Sequence, residues 1–499
     1  MLQKNKNNLI LVTGATGYIG GRLIPELLKK GWRVRAASRS IEKLKSRPWA
    51  AHSSVELMAM DVFSRESLER ACAGCGAAFY LVHSMLPGQK DFQTADREAA
   101  ENMKAAAEGA GLERLIYLGG LGEDSPDLSK HLKSRAEVGR ILRSGRVPVT
   151  ILRAAMIIGS GSASFEILRY LVERLPLMIT PKWLETLSQP VAIRNVLEYL
   201  SGCLEHSETA GKTYDIGGPD VLTYHDLMRI YAEEAGLPKR LVIPVPVLTP
   251  RLSSYWIHIV TPVPASIARP LAEGLKNPVL CRENEIRSII PQELLSCRDA
   301  IRLALERLKH DAVPSRWTDA GKMPPVEALY EGDPRWAGGT LFEDRRSCQV
   351  KASPAEVWNV VSRIGGDNGW YYADWLWVLR GVLDRLAGGV GLRRGRRHSS
   401  QIFPGDALDF WRAVEVSEGK RLLLTAEMKL PGKATLEFKI KPEENGRCML
   451  EQTARFWPRG LLGILYWYLV SPFHTVIFSG MMKSIGKRAQ QRPLPSAGV

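Results

Sequence analysis

Three glycines carry the first chemistry in this chain. In the run Thr13, Gly14, Ala15, Thr16, Gly17, Tyr18, Ile19, Gly20 they recur every third residue, directly after the apolar stretch Leu9 to Val12. At such a strand-to-helix junction Gly14 can make a tight turn, Gly17 lets backbone approach a pyrophosphate, and Gly20 allows close packing of helix on strand. The helix that follows presents first-turn N–H groups without intrahelical acceptors, which suits phosphate. The competing reading is an ordinary strand-to-helix turn. The next apolar run ends Val34, Arg35, Ala36, Ala37, Ser38, Arg39, with no carboxylate to hold ribose hydroxyls. Arg35 and Arg39, with Ser38 between them, offer charge-assisted bonds to a 2′-phosphate. The expected cofactor is therefore NADP, with NAD as the alternative.

These residues need a scaffold, and the hydrophobic pattern supplies one. Short apolar runs near 9–13, 32–37, 55–60, 78–82, 114–118 and 148–153 alternate with amphipathic stretches at 20–29, 65–73, 93–110 and 134–143. That order predicts a doubly wound parallel sheet with helices on both faces, a Rossmann-type α/β fold. Helices are expected again near 163–174, 194–205 and 223–235, on the substrate side. At 499 residues the chain exceeds what one core holds, so two domains are expected. Their bounds read as 1–312, a Pro- and Gly-rich linker at 313–339, a second domain at 340–490 and a tail at 491–499.

Composition narrows the classes. A net charge of +15 and a pI near 9.5 suit an anionic ligand, membrane surface or nucleic acid without choosing among them. Seven scattered cysteines argue against a disulfide framework and for a reducing compartment such as the cytoplasm. Cys72 and Cys75 form a C-x-x-C pair but lack a partner pair for zinc and do not open a helix after a strand, so no metal site is expected. Lys4 and Lys6 precede only four apolar residues, too short a run for a cleavable or spanning segment.

The glycine loop, the Ala37, Ser38, Arg39 strand end, Met60, Asp61, Val62, the strand end Leu81, Val82, His83, Ser84 and the stretch Leu118 to Gly120 together resemble the atypical short-chain dehydrogenase/reductase family, in particular its NmrA-like and YbjT-like members. The resemblance covers roughly residues 8–310. It implies cofactor contacts at Gly14, Thr16, Gly17, Tyr18, Ile19, Gly20, Arg35, Ser38 and Arg39, with Asp61 beside the adenine and Leu81, Val82, His83 and Ser84 lining the ribose. For Asp61 a helix-cap role stands equally open. The family's Tyr-x-x-x-Lys pair is replaced here by His131 and Arg135, and its serine by Gly119 and Gly120. A histidine can exchange protons near neutrality and an arginine can bond to a ribose, so His131 and Arg135 are the candidate catalytic pair. The alternative is a surface histidine ahead of a helix and a solvated arginine. Tyr117 is expected to pack inside the sheet, and Phe165, Tyr170, Met178 and Trp183 to wall an apolar substrate space.

Beyond residue 340 the texture turns to period-2 alternation. Ala434, Leu436, Phe438 and Ile440 share one face and Thr435, Glu437, Lys439 and Lys441 the other, which predicts a half-buried antiparallel sheet. Ser353 followed by Pro354 caps an early helix. The segments Ser353 to Trp358, Asp409 to Arg412 and Ala426 to Gly432 resemble the YbjT-associated C-terminal domain (DUF2867, SRPBCC-like), similar to the helix-grip fold. That resemblance implies an α+β antiparallel domain around a cavity for hydrophobic molecules. Gly460 to Met482 is long enough to span a bilayer, yet Pro472 and His474 interrupt it, and it is read as the buried last helix. The run Arg393, Arg394, Arg396, Arg397 suits peripheral contact with anionic lipid or a solvated loop. Without interleaved aromatics it does not suit nucleic acid. The functional expectation is an NADP(H)-dependent oxidoreductase acting on a hydrophobic small molecule. The alternatives are a cofactor-binding redox sensor without turnover and a lipid-binding peripheral membrane protein whose cofactor is structural.

Overall fold

The computed structural model describes residues 9–45, 47–82, 92–122, 129–245, 277–305, 338–386, 402–443 and 446–491, with 260, 261, 263, 271 and 273–275. They divide into two compact units, residues up to 305 with 338 and 339, and residues 340–491.

The first unit runs β1 (Leu9–Thr13), α1 (Tyr18–Lys29), β2 (Arg33–Ser38), α2 (Ile41–Lys45), β3 (Val55–Ala59), α3 (Arg65–Cys72), β4 (Cys75–Tyr80), α4 (Phe92–Gly109), β5 (Arg114–Gly120), α5 (Lys130–Arg143) and β6 (Val149–Ala154). After β7 (Ile157–Ile158) come α6 (Ala163–Arg174), β8 (Leu177–Pro181), β9 (Leu187–Ser188), β10 (Val191–Ala192), α7 (Ile193–Glu205) and β11 (Thr213–Ile216). Then follow β12 (Leu222–Thr223), α8 (Tyr224–Glu234), β13 (Leu241–Val245), α9 (Ile286–Ile289) and α10 (Cys297–Leu305). Seven strands form one parallel sheet in the order β11-β6-β5-β4-β1-β2-β3. Because both faces are covered, alternate residues of β1 enter different cores. Ile10 and Val12 pack with α1 and α7, and Leu9 and Leu11 with α3 and α4.

Two features depart from the sequence expectation. β11 lies beyond the six apolar runs; its four residues extend the sheet beside β6. Helix α5 begins at Lys130 rather than 134, because the Ser129 hydroxyl accepts from the Leu132 amide and caps it there. Ser134 is then a buried helix residue donating to Asp96 of α4 at 2.7 Å.

The second unit runs β14 (Phe342–Val350), α11 (Pro354–Val361), α12 (Asp374–Leu386), β15 (Ala407–Leu408), β16 (Trp411–Ser417), β17 (Arg421–Ala426), β18 (Gly432–Pro442), β19 (Cys448–Pro458) and α13 (Gly460–Gln490). Its six-stranded antiparallel sheet has the order β14-β19-β18-β17-β16-β15. Ser353 and Glu356 close a capping box on α11, worth about 1 kcal/mol.

The expected polar face of β18 is closed over at Thr435 and Glu437. Glu437 is buried and accepts from Arg421 at 2.6 Å and from Arg455 at 2.8 Å. Burial alone would raise its carboxyl pKa. Hydrogen bonding from Arg455 and the charges of Arg421, Arg455 and Lys439 overcome this and hold it below the usual carboxylate range. Glu437→Gln removes one of two carboxylate partners from each guanidinium, leaving Arg421 with Glu415 and Arg455 with Glu343, and is expected to cost about 2 kcal/mol, read by urea unfolding at neutral pH. A carboxyl held low when folded stabilises fully above its unfolded pKa and loses that contribution as pH falls through the folded one. The gap between wild type and variant must therefore shrink on acidification.

Candidate functional site

The site is organised by the strand order. β1 and β4 are neighbours at the point where the sheet order reverses, which opens a crevice at their C-terminal ends. Thr13 ties the two strands there: its hydroxyl donates to the Phe79 carbonyl at 3.0 Å and accepts from the Leu81 amide at 3.1 Å. Gly14 follows in the left-handed region, φ 66°, where a Cβ would stand 2.9 Å from the Leu81 carbonyl oxygen. Gly20 faces the loop so closely that a Cβ would lie 2.5 Å from the Gly14 oxygen. Gly17, exposed, is the N-cap of the twelve-residue α1 and supplies no side chain to the cap. The three glycines are thus demanded by a turn, a cradle and a packing contact.

Other predicted residues fall around this loop in different ways. The Thr16 carbonyl accepts from Arg47. Ile19 packs into the core of α1 and α7, and the Tyr18 hydroxyl lies against Gly159, with Arg22 stacked 4.2 Å over its ring. Leu81 and Val82 sit half-buried against Gly14. Ser38 is buried and donates to the Ser40 carbonyl at 3.0 Å. Arg39 stands exposed just beyond β2, with no hydrogen bond or ion pair to any described residue. His83 and Ser84 lie outside the described residues.

Arg35 is not where the sequence reading put it. It lies in mid-strand, and its guanidinium pairs with Glu56 at 3.0 Å and donates to the Ala71 and Ala73 carbonyls at the end of α3. It stabilises a helix C-terminus rather than facing the crevice. Asp61 is exposed and accepts from the Phe63 amide at 3.1 Å in a local turn, while Ser64 caps α3; the expected helix-cap role belongs to Ser64.

The candidate catalytic pair sits on α5. His131 is in its first turn, half-exposed, inside the helix rather than ahead of it. Arg135 lies 5.2 Å over the Tyr117 ring and donates to the Leu118 carbonyl, so it is anchored at the end of β5 and is not a solvated charge. Gly120 makes that close approach feasible, since a Cβ there would meet Leu132 at 2.9 Å. Tyr117 is inside the sheet as expected. Burial pushes its phenol up to about 12, and its hydroxyl donates to the Arg135 carbonyl.

The expected apolar wall is corrected. Phe165, Tyr170 and Met178 are buried. Phe165 and Met178 pack with α8 and α10, and Phe165 lies 5.9 Å from Tyr231. The side chain of Trp183 lies outside the described residues. Burial pushes Cys72 up to about 12 and Cys75 to about 11, so both thiols stay protonated at neutral pH. Among the described residues no group of three or more His, Cys, Asp or Glu is placed to hold a metal.

Arg47 was missed. It is buried beside Gly21 and donates to Thr16, while Trp49 two residues on donates to the Gly21 carbonyl at 3.0 Å. Together they clamp the segment after α2 onto the glycine loop. A lone Arg and Trp in a loop carry no periodic signal that could have revealed this.

Residues 14–169, which hold this loop and crevice, match the NAD(P)H-binding family. This part of the first unit is an NAD(P)H-binding domain. Residues 336–481 match DUF2867, a family of proteins of unknown function. The chain is 27% identical over 244 residues to the mitochondrial NADH dehydrogenase [ubiquinone] 1 alpha subcomplex subunit 9 of Arabidopsis thaliana, covering 47% of this chain and 60% of that protein. It is 26% identical over 172 residues to the ceramide reductase of Caulobacter vibrioides, covering 34% and 53%. The chain thus spans about half to three-fifths of these two curated relatives. The solved structure of Citrobacter sp. triphenylmethane reductase complexed with NADP(H) superposes with a TM-score of 0.48 at 22% identity, over 59% of this chain and 98% of that one.

The NAD(P)H-binding domain offers a direct test at an exposed position. Gly17→Asp places a carboxylate in the cradle, where its Cβ already meets the Gly14 oxygen at 3.0 Å. NADPH affinity is expected to fall by a factor of about 100 or more, read by cofactor fluorescence, with the unfolding free energy within about 0.5 kcal/mol of wild type.

Proposed function

We propose that the first unit is an NADP(H)-dependent reductase of a hydrophobic small molecule. The observation that carries this reading is the end of β2, the strand paired with β1: Arg39 is exposed there with no hydrogen bond or ion pair among the described residues, and β2 ends without a carboxylate. The cradle fits a dinucleotide, because Gly17 leaves it open at the N-terminus of α1 and the Thr13 bridge fixes its far wall. Gly14, Thr16, Gly17 and the first turn of α1 would hold the pyrophosphate, Arg39 the 2′-phosphate, and Leu81 and Val82 the ribose side.

The bound cofactor supplies a hydride. Reduction also takes up a proton, and His131 is proposed to deliver it. His131 and Arg135 are one helical turn apart on the same face of α5, and Arg135 is anchored at the end of β5, which carries His131 out beyond that strand end. Arg135 is a positioning residue that fixes this helix end. The ceramide reductase among the relatives supports a hydrophobic substrate. Seven free thiols support a cytoplasmic setting. A second reading, an NADP(H) sensor without turnover, is favoured by one observation: Arg135 is committed to the Leu118 carbonyl and the Tyr117 ring, where the family's lysine would hold the ribose.

Arg39→Ala is expected to weaken NADPH binding about tenfold or more and leave NADH binding unchanged, measured as the two dissociation constants. Equal losses for both cofactors contradict the 2′-phosphate role. NADPH oxidation across a panel of hydrophobic ketones and enones separates reductase from sensor. His131→Ala should lower turnover about 100-fold or more and spare NADPH affinity. Tight binding with no oxidation of any substrate supports the sensor.

A further inference from the structure

In the second unit the usual arrangement of a surface helix is reversed. On α12 the exposed large hydrophobic residues are Trp375, Val378, Leu379, Val382, Leu383 and Leu386, a continuous helical stripe, with Trp375 68% and Leu386 81% exposed. Its buried side carries Trp377, Gly381 and Asp384. The two ends are held in place: Asp374 accepts from the Trp370 amide at 2.7 Å, and Asp384 from the Lys429 amide at 2.6 Å.

Helix α13 divides in two, contrary to the expectation of a buried last helix. From Phe478 onward, Met481, Met482, Ile485 and Ala489 enter the core of the unit. Ahead of that, Leu462, Leu465, Leu469, Phe473 and Val476 face outward, and only 17% of the most apolar stretch is buried. The two helices meet at a few side chains. Arg488 lies 4.3 Å over the Tyr371 ring, Gly480 touches Tyr372, and Arg380 lies 6.0 Å from the Tyr466 ring, which sets α12 antiparallel alongside α13.

We infer that α12 and the N-terminal half of α13 form one face that seats the second unit in the surface of an anionic lipid bilayer, lying in its plane without crossing it. The inference stands apart from the reductase reading. Charge selects the occupant. Exposed Arg385 and Arg459 lie where α12 ends and α13 begins, and exposed Lys483 and Lys487 flank the other end. No acidic residue occurs from Gly460 to Gln490, and both acids of α12 are engaged with backbone amides. Residues 340–499 hold 24 Lys and Arg against 15 Asp and Glu. The run Arg393, Arg394, Arg396, Arg397, outside the described residues, follows α12 within seven residues in sequence. A second copy docked on this face would bring arginine and lysine against their own kind, whereas anionic headgroups neutralise them. Exposed Trp375 and Tyr468 suit the headgroup boundary.

Crossing is opposed by anchoring and length. Trp467 stacks on Phe342 at 5.2 Å and Phe456 at 5.9 Å, and Arg346 donates to Ser479 at 2.6 Å. The outward half, Leu461 to Val476, is about 24 Å long, short of the roughly 30 Å of a hydrocarbon core.

Flotation of the full chain tests this with vesicles of phosphatidylcholine alone or mixed with phosphatidylglycerol. The wild type is expected to float with the mixed vesicles, and alkaline carbonate to release it. Leu383→Glu combined with Leu469→Glu should weaken flotation about tenfold or more with an unchanged unfolding midpoint. Val378→Glu with Leu462→Glu, on the same face, should do likewise. Undiminished flotation of both variants, no flotation of the folded wild type, or resistance to carbonate would each overturn the inference. So would a wild-type dimer in solution that the substitutions dissociate.

Discussion

The junction of β1 and β4 is the constraint on which the first unit depends. Parallel neighbours at a reversal of strand order must part at their C-terminal ends, and here Thr13 limits how far. One hydroxyl satisfies both a carbonyl and an amide of β4, which holds Leu81 against the turn at Gly14. With that distance set, only a glycine fits at 14 and only a glycine at 20. The N-terminus of α1 is then fixed at the mouth of the crevice. A buried hydrogen bond to each of two strand groups is modest in energy, about 1 kcal/mol each, yet leaving either group unpaired would cost more than that. The crevice is therefore held open by groups that have no cheaper alternative.

Much of this was legible in the residues. Alternating apolar runs located six strands of the parallel sheet because a strand buried on both faces must be continuously apolar, and β1 is the clearest case. The glycine spacing located the cradle because backbone conformation leaves its mark in residue type. β11 escaped because the four residues of this edge strand carry too little pattern. The start of α5 escaped because its cap, Ser129, stands amid Lys130, His131 and Lys133, where no apolar periodicity announces a helix.

Arginine was the least legible residue type, and the reason is physical. A guanidinium carries the same charge whether it faces solvent, caps a helix or bridges strands, and the sequence does not say which carbonyls lie within its reach. Arg35 and Arg39 look alike in the strand end, yet Arg35 is spent on Glu56 and the end of α3 while Arg39 has no hydrogen bond or ion pair among the described residues. Arg47 holds the Thr16 carbonyl, Arg114 the carbonyls after α7, Arg135 the end of β5, and Arg421 a buried glutamate. A net charge of +15 thus overstates what the molecule offers to an anionic partner.

The second unit shows the same separation of composition from placement for apolar residues. From Gly460 to Met482 the sequence is apolar almost throughout, so it has no periodicity to say which side is covered. The sheet decides. Met481, Met482 and Ile485 have β-strand side chains to fill against, and they are buried. Leu462, Leu465 and Leu469 share their hydrophobicity but turn away from the sheet, and they are not. An isolated exposed leucine needs no explanation, since much of any protein surface is apolar. Two long stripes on helices of one unit do, because leaving that much apolar area in water forgoes about 25 cal/mol for each Å². In α12 this cost falls on a helix whose only two acids are already bonded to backbone, so the face it presents is apolar with positive edges. That combination has an energetic use at an anionic interface and none in free solution.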